Sequence, residues 1–172
     1  VAYRTPGFAS REAYVLDMIS TYLSDGKTSK LYKKMVDEQK QALQIGAFNL
    51  GQEDYGMYLI FGLPVGENTL ETLNTEIEEE IAAVRNELIA DKDFQKIQNK
   101  FENDFVNANS SVEGIAGSLA TYYMLYGDTS LINKQIDIYR SITREEIQQV
   151  AQQYLQPNQR VVIDYLPQSA KQ

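Results

Sequence analysis

The chain has 172 residues, 43% of them hydrophobic and 23% charged, which is enough for one domain with its own core. It carries a formal net charge of -8, no cysteine and no histidine, so disulfides, thiol catalysis and any histidine-activated nucleophile within it are excluded. Its basic residues are scattered, which argues against a nucleic-acid partner, and no apolar run reaches the ~18 residues of a membrane span.

Val1 to Tyr3 reads as a short strand, ended by Arg4-Thr5-Pro6-Gly7. Ser10 is placed to N-cap a first helix, in which Ala13, Leu16, Ile19 and Leu23 recur at spacings of three and four on one face. That helix breaks at Ser24-Asp25-Gly26, where Gly26 can adopt positive φ and close it. A second helix starts at once from Thr28 or Ser29, expected to accept from its free N–H groups. It points Leu31, Met35 and Val36 inward, with Tyr32 at the margin. Ala42 to Leu50 and Tyr55 to Leu63 are β-type runs joined by a polar turn, the pattern of an antiparallel hairpin. The first run is expected to place Leu43, Ile45 and Ala47 on one face, with Gly46 and Phe48 on the other. The second alternates clearly: Tyr55, Met57, Leu59, Phe61 and Leu63 against Gly56, Tyr58, Ile60 and Gly62. For Gly56 and Gly62, local twist or a bulge is taken ahead of close approach by a helix or another chain.

Asn68, with Glu71 three residues later, reads as a capping box for a third helix whose Leu70, Leu73, Ile77, Ile81, Val84 and Leu88 form a 3.6-period stripe. Glu76, Glu78, Glu79 and Glu80 are expected on a solvated face, because consecutive residues point around a helix instead of converging on a metal. A fourth helix from near Asp91 aligns Phe94, Ile97, Phe101 and Phe105 and ends in the polar stretch Asn107 to Ser111. A fifth, Val112 to Tyr126, turns Ile115, Ala116, Leu119 and Tyr122 or Tyr123 inward. Its cluster Tyr122, Tyr123 and Tyr126 is read as a core edge with wetted hydroxyls ahead of a recognition surface. Gly127-Asp128 closes that helix, and a short one follows from about Leu131 to Tyr139. Thr143 and Glu146 form a capping box for the last helix, with Ile147, Val150, Ala151 and Tyr154 inward. After a turn at Pro157-Asn158, Arg160 to Leu166 is a closing strand with Val161, Ile163 and Tyr165 on one face, and Pro167 to Gln172 is a polar tail. Four strands with long helical insertions define an α+β fold: a largely antiparallel sheet with several helices packed on one side. The strand-like opening without an initiator Met reads as a fragment, one domain over residues 1–172, whose targeting and compartment are not encoded here.

The stretch Leu23 to Val36 resembles the L-S-x-G-x-S-S-R-L-Y-x-x-L-V segment in the second domain of pitrilysin/insulinase-type zinc peptidases, the family that includes mitochondrial processing peptidase. Asn99-Lys100-Phe101-Glu102 looks like the N-K-F-E of bacterial members. Leu119-Ala120, Gly127-Asp128, Ile132-Asn133 and Tyr139-Arg140 follow in family order. The resemblance implies a half-domain of the processing-peptidase type: the C-terminal, non-catalytic partner of an upstream domain that holds zinc in an inverted H-x-x-E-H helix. It implies no catalytic, cofactor-binding or metal residue in this chain, zinc in the upstream domain, and a peptide substrate in a chamber between two halves of a homo- or hetero-dimer. Some family members supply an Arg and a Tyr from this domain; the matching positions here are Val36 and Leu43, and Lys30 replaces the usual Arg after the serines. The alternative parent is an inactive homologue acting as an assembly or substrate-binding subunit. Gly26 and Ser29 are singled out as structural positions only.

Overall fold

A computed structural model describes residues 1–166. Four strands, β1 (Ala2–Pro6), β2 (Ala42–Leu50), β3 (Tyr55–Pro64) and β4 (Arg160–Val161), form one sheet in the order β2-β3-β1-β4. Every pairing is antiparallel. The α-helices are α1 (Arg11–Ser24), α2 (Leu70–Asn86), α3 (Asp91–Ala108), α4 (Val112–Tyr126), α5 (Gln135–Ser141) and α6 (Arg144–Tyr154), with a π-helix at Tyr32–Glu38. This is the α+β architecture expected from the alternation of strands and long helical insertions.

Ser10 caps α1 as expected, its hydroxyl accepting the Ala13 N–H at 3.2 Å. One buried face was expected, yet Tyr14, Val15 and Met18 are buried along with Ala13, Leu16, Ile19 and Leu23. The reason is that α1 lies between the sheet and α3, α5 and α6, so neighbours cover it on more than one side. At its start, Arg11 donates from Nη2 to Glu146 at 2.9 Å and from Nη1 to the Ser141 hydroxyl at 3.1 Å. Thr143 caps α6 as expected, accepting the Glu146 N–H at 3.2 Å, and Arg11, together with a backbone hydrogen bond from Thr143, holds the pKa of the Glu146 carboxyl below its ordinary value.

The corner after α1 is fastened differently from the expectation. Gly26 has φ of 79° and follows the C-cap Asp25, as its position in the sequence implies. Ser29, however, does not cap: its buried hydroxyl donates to the Gly26 carbonyl at 2.7 Å, closing the turn on itself. Thr28 receives the Lys96 ammonium instead of a helix N–H. The helix beyond widens to π geometry, with the Gln39 N–H reaching the Lys34 carbonyl at 2.9 Å. Leu31 and Met35 are fully buried and Val36 half-buried. Ser24, the last residue of α1, holds the corner to the sheet. Its hydroxyl accepts the Ala47 N–H at 2.7 Å and donates to the Ala47 carbonyl at 2.9 Å. β2 is an edge strand, so one side chain satisfies two backbone groups that the ladder leaves open.

Two corrections concern the hairpin. The register shifts between Ala42 and Gln44, which leaves Leu43 unpaired and 65% exposed. The inward set of β2 is therefore Ala42, Ile45 and Ala47. Of the β3 glycines, Gly62 serves close approach by a helix, while Gly56 meets only the neighbouring strands of its own sheet. A Cβ on Gly62 would lie 3.0 Å from Leu73 of α2, and one on Gly56 would lie 2.6 Å from the Thr5 hydroxyl and 2.9 Å from the Leu50 carbonyl.

The remaining differences lie at helix ends and in the C-terminal half. Thr69, not Asn68, caps α2, accepting the Thr72 N–H at 3.1 Å, while the Asn68 amide donates to the Val65 carbonyl. Leu88 falls past the end of α2 and is exposed; Ile89 takes the buried place. α4 has the expected bounds, but Ile115, Ala116 and Tyr123 are exposed and only Tyr122 is buried, because its neighbours are α3 and the 3₁₀ turn Thr129–Asn133 and not the sheet. The expected helix from Leu131 to Tyr139 divides into that turn and α5. The closing strand shrinks to Arg160–Val161, which pair with Tyr3 and Ala2. The expected polar tail lies outside the described residues.

One polar group sits within the packing. Asp17 of α1 accepts from the Asn49 amide of β2 at 3.1 Å and from the Tyr139 hydroxyl of α5 at 3.3 Å. Burial pushes its carboxyl up to about 6, against the pull of those two hydrogen bonds. Two outcomes follow from this packing. Ser24→Ala leaves the Ala47 N–H and carbonyl unpaired and lowers stability by about 1–3 kcal/mol in urea unfolding. Because the folded state holds the Asp17 proton more tightly, Asp17 makes stability fall as pH rises from about 4 to about 6, by on the order of 2 kcal/mol. The difference between wild type and Asp17→Asn across that window measures it.

Candidate functional site

The outer face of the sheet leaves an apolar set exposed. The period of two in β3 sends Tyr58 and Ile60 inward to the helices. It sends the bulkier set, Tyr55, Met57, Leu59, Phe61 and Leu63, outward. Tyr55 is 59% exposed and Leu63 50%. The register places Leu50 opposite Met57, Phe48 opposite Leu59 and Gly46 opposite Phe61. The Phe61 ring covers Gly46, where a Cβ would stand 2.4 Å from it, and its centroid lies 5.9 Å from that of Phe48. From β1, the Arg4 guanidinium sits 3.9 Å above the Tyr55 ring. A sheet face that meets water ordinarily carries polar side chains at its outward positions.

On the other side of the sheet, the separated sequence landmarks touch one another. Lys100 pairs with Asp25 of the corner at 3.1 Å, Phe101 stacks on Tyr139 with centroids 4.1 Å apart, and Glu102 pairs with Arg140. Lys30 pairs with Asp93 at 3.3 Å. These landmarks are thus a docking seam between the corner, α3 and α5. Val36 and Leu43 do not form a polar pair: Val36 is half-buried on the π-helix and Leu43 projects from the bulge. Neither side chain can donate to a substrate oxygen.

The acidic run of α2 also departs from expectation. Glu76, Glu79 and Glu80, at spacings of three and four, converge on the Lys34 ammonium at 2.7, 3.1 and 3.0 Å. Burial alone would lower the Lys34 pKa; the three carboxylates outweigh it and hold it above its ordinary value. Glu78 points elsewhere, to Arg85 at 2.5 Å and to Arg160. Among the described residues there is no group of three His, Cys, Asp or Glu side chains that could hold a metal ion. With the Lys34 ammonium at their centre, Glu76, Glu79 and Glu80 do not fit a zinc site. Also among them, no helix is long and apolar enough to cross a membrane.

Residues 1–101 match the sequence profile of the peptidase M16 inactive domain. The chain belongs to that family. It is 24% identical over 170 residues to the zinc protease PqqE of Helicobacter pylori, covering 97% of this chain but 37% of that protein. The fold matches a crystal structure of a protease from Helicobacter pylori with a TM-score of 0.85 at 23% identity, covering 92% of this chain and 38% of that one. It also matches a peptidase M16 inactive domain from Pseudomonas fluorescens, with a TM-score of 0.77 at 11% identity, covering 92% and 38%. An inactive peptidase domain from Bordetella parapertussis matches over 99% of this chain and 94% of that one, with a TM-score of 0.79 at 19% identity.

Replacing Lys34 by Met leaves three carboxylates together without their cation. It lowers stability by about 1 kcal/mol, and the loss shrinks in 1 M salt, as thermal unfolding at two ionic strengths will read.

Proposed function

We propose that this chain is the C-terminal, non-catalytic domain of a longer zinc metalloendopeptidase. In this reading the upstream domain holds the zinc, which supplies the Lewis acid for peptide hydrolysis. This domain braces that one and presents the outer sheet face as a wall of the peptide-binding chamber. The observation that carries the reading is the outward apolar set Tyr55, Met57, Leu59, Phe61 and Leu63 on an uncovered sheet. Membership of the inactive-domain family and the 37% of the Helicobacter pylori zinc protease that the chain spans support it. With Val36 and Leu43 where some members place Arg and Tyr, those donors come from a partner subunit.

The test is zinc content and peptide cleavage on the parent polypeptide, with the 172-residue chain as control. About one zinc per parent chain and chelator-sensitive cleavage, with neither in the control, is the expected result. No zinc in the parent overturns it in favour of an assembly or substrate-binding subunit. Leu50→Glu with Met57→Glu in the parent tests the wall. Cleavage falls by about tenfold or more, while the stability of the 172-residue chain carrying the same changes moves by only about 0.5 kcal/mol, as expected of exposed positions.

A further inference from the structure

A gap one strand wide lies in the sheet beyond Val1. β1 pairs with β3 so that Ala2 faces Leu59, and with β4 so that Ala2 faces Val161. Continued backwards, this register sets the four positions before Val1 between Phe61–Pro64 on one side and Ile163–Leu166 on the other. A cavity of about 440 Å³ occupies that place, lined by Gly62, Leu63, Ile163, Tyr165 and Leu166. Leu73 and Ile77 of α2 close it from the helical side. Val1 and Ile60 exchange both hydrogen bonds, at 2.7 and 2.8 Å. In an antiparallel ladder the next such residue on β3 is Gly62, whose N–H and carbonyl therefore face the gap. By the same alternation, Ile163 and Tyr165 face it from the other side. Tyr165 is 92% exposed although it is aromatic.

We propose that the gap is filled in cis by the four residues immediately upstream of Val1 in the parent polypeptide. They continue β1 and draw Ile163–Leu166 into β4 as a full strand. The occupant is an extended segment because both walls present backbone groups at strand spacing. It belongs to this polypeptide because the strand it extends already ends in the gap. Val1 and Tyr3 face the helices, so the second residue before Val1 also faces inward, over Leu73 and Ile77, and is apolar. This inference rests on the reading of the chain as part of a longer polypeptide, but not on zinc or catalysis.

Amide hydrogen exchange on the parent and on the 172-residue chain tests it. The amides of Gly62, Ile163 and Tyr165 exchange about a hundredfold more slowly in the parent. Equal, fast exchange in both overturns the proposal. So does protection of these amides in the parent that grows with protein concentration, since the gap is then filled by a second copy. A parent without zinc that still protects Gly62 would refute the proposed function and leave this inference standing.

Discussion

The fold depends on burying α1 on more than one side. Val15, Leu16, Met18, Ile19 and Leu23 are wholly excluded from solvent, and every layer meets at them. At roughly 1.5–3 kcal/mol for each fully buried large apolar side chain, these five outweigh any single polar contact in the domain. The polar contacts decide instead how the layers sit on the helix. Asp17 ties it to β2 and α5, Arg11 to α6, and Ser24 to the sheet edge. Between them they join α1 to β2, α5 and α6 from its first turn to its last, so together they leave the helix little freedom to rotate or slide.

Elements with a strong local signal were legible in the sequence. Ser10 and Thr143 cap where their hydroxyls precede an apolar period, and Gly26 and Gly127 close helices with positive φ. The hairpin follows from its alternation and polar turn. What the sequence concealed depends on partners far along the chain. A single residue count cannot show that Leu43 is extra, because the bulge is defined by the opposite strand. Ser29 has the composition of a cap, yet its hydroxyl finds a nearer acceptor in Gly26. Ser24 looks like a helix-end serine until β2 is laid beside it, and the convergence of Glu76, Glu79 and Glu80 needs Lys34 from another element.

The candidate face was legible as a pattern but not as a direction. Alternation in β3 separates two sets correctly, and the bulkier set would ordinarily be assigned to the core. The helices take the other face, where Gly62 lets Leu73 come close and Tyr58 and Ile60 fill the space beside it. The bulkier set is thereby left on the outer face. In the same way, Val36 and Leu43 offer no side-chain hydrogen-bond donor at their positions.

The pairing of Ala2 with Val161 places the two ends of the domain's path side by side at one end of antiparallel strands. A polypeptide entering at β1 and leaving after β4 does so through the same door. Tension between entry and exit would load the β1–β4 ladder at its end, whether two pairs long or lengthened upstream, and open it pair by pair, like a zipper, instead of shearing many hydrogen bonds at once. The domain is therefore mechanically soft along its own chain, however firmly α1 holds its interior, and a motor pulling on either end would meet its weakest seam first.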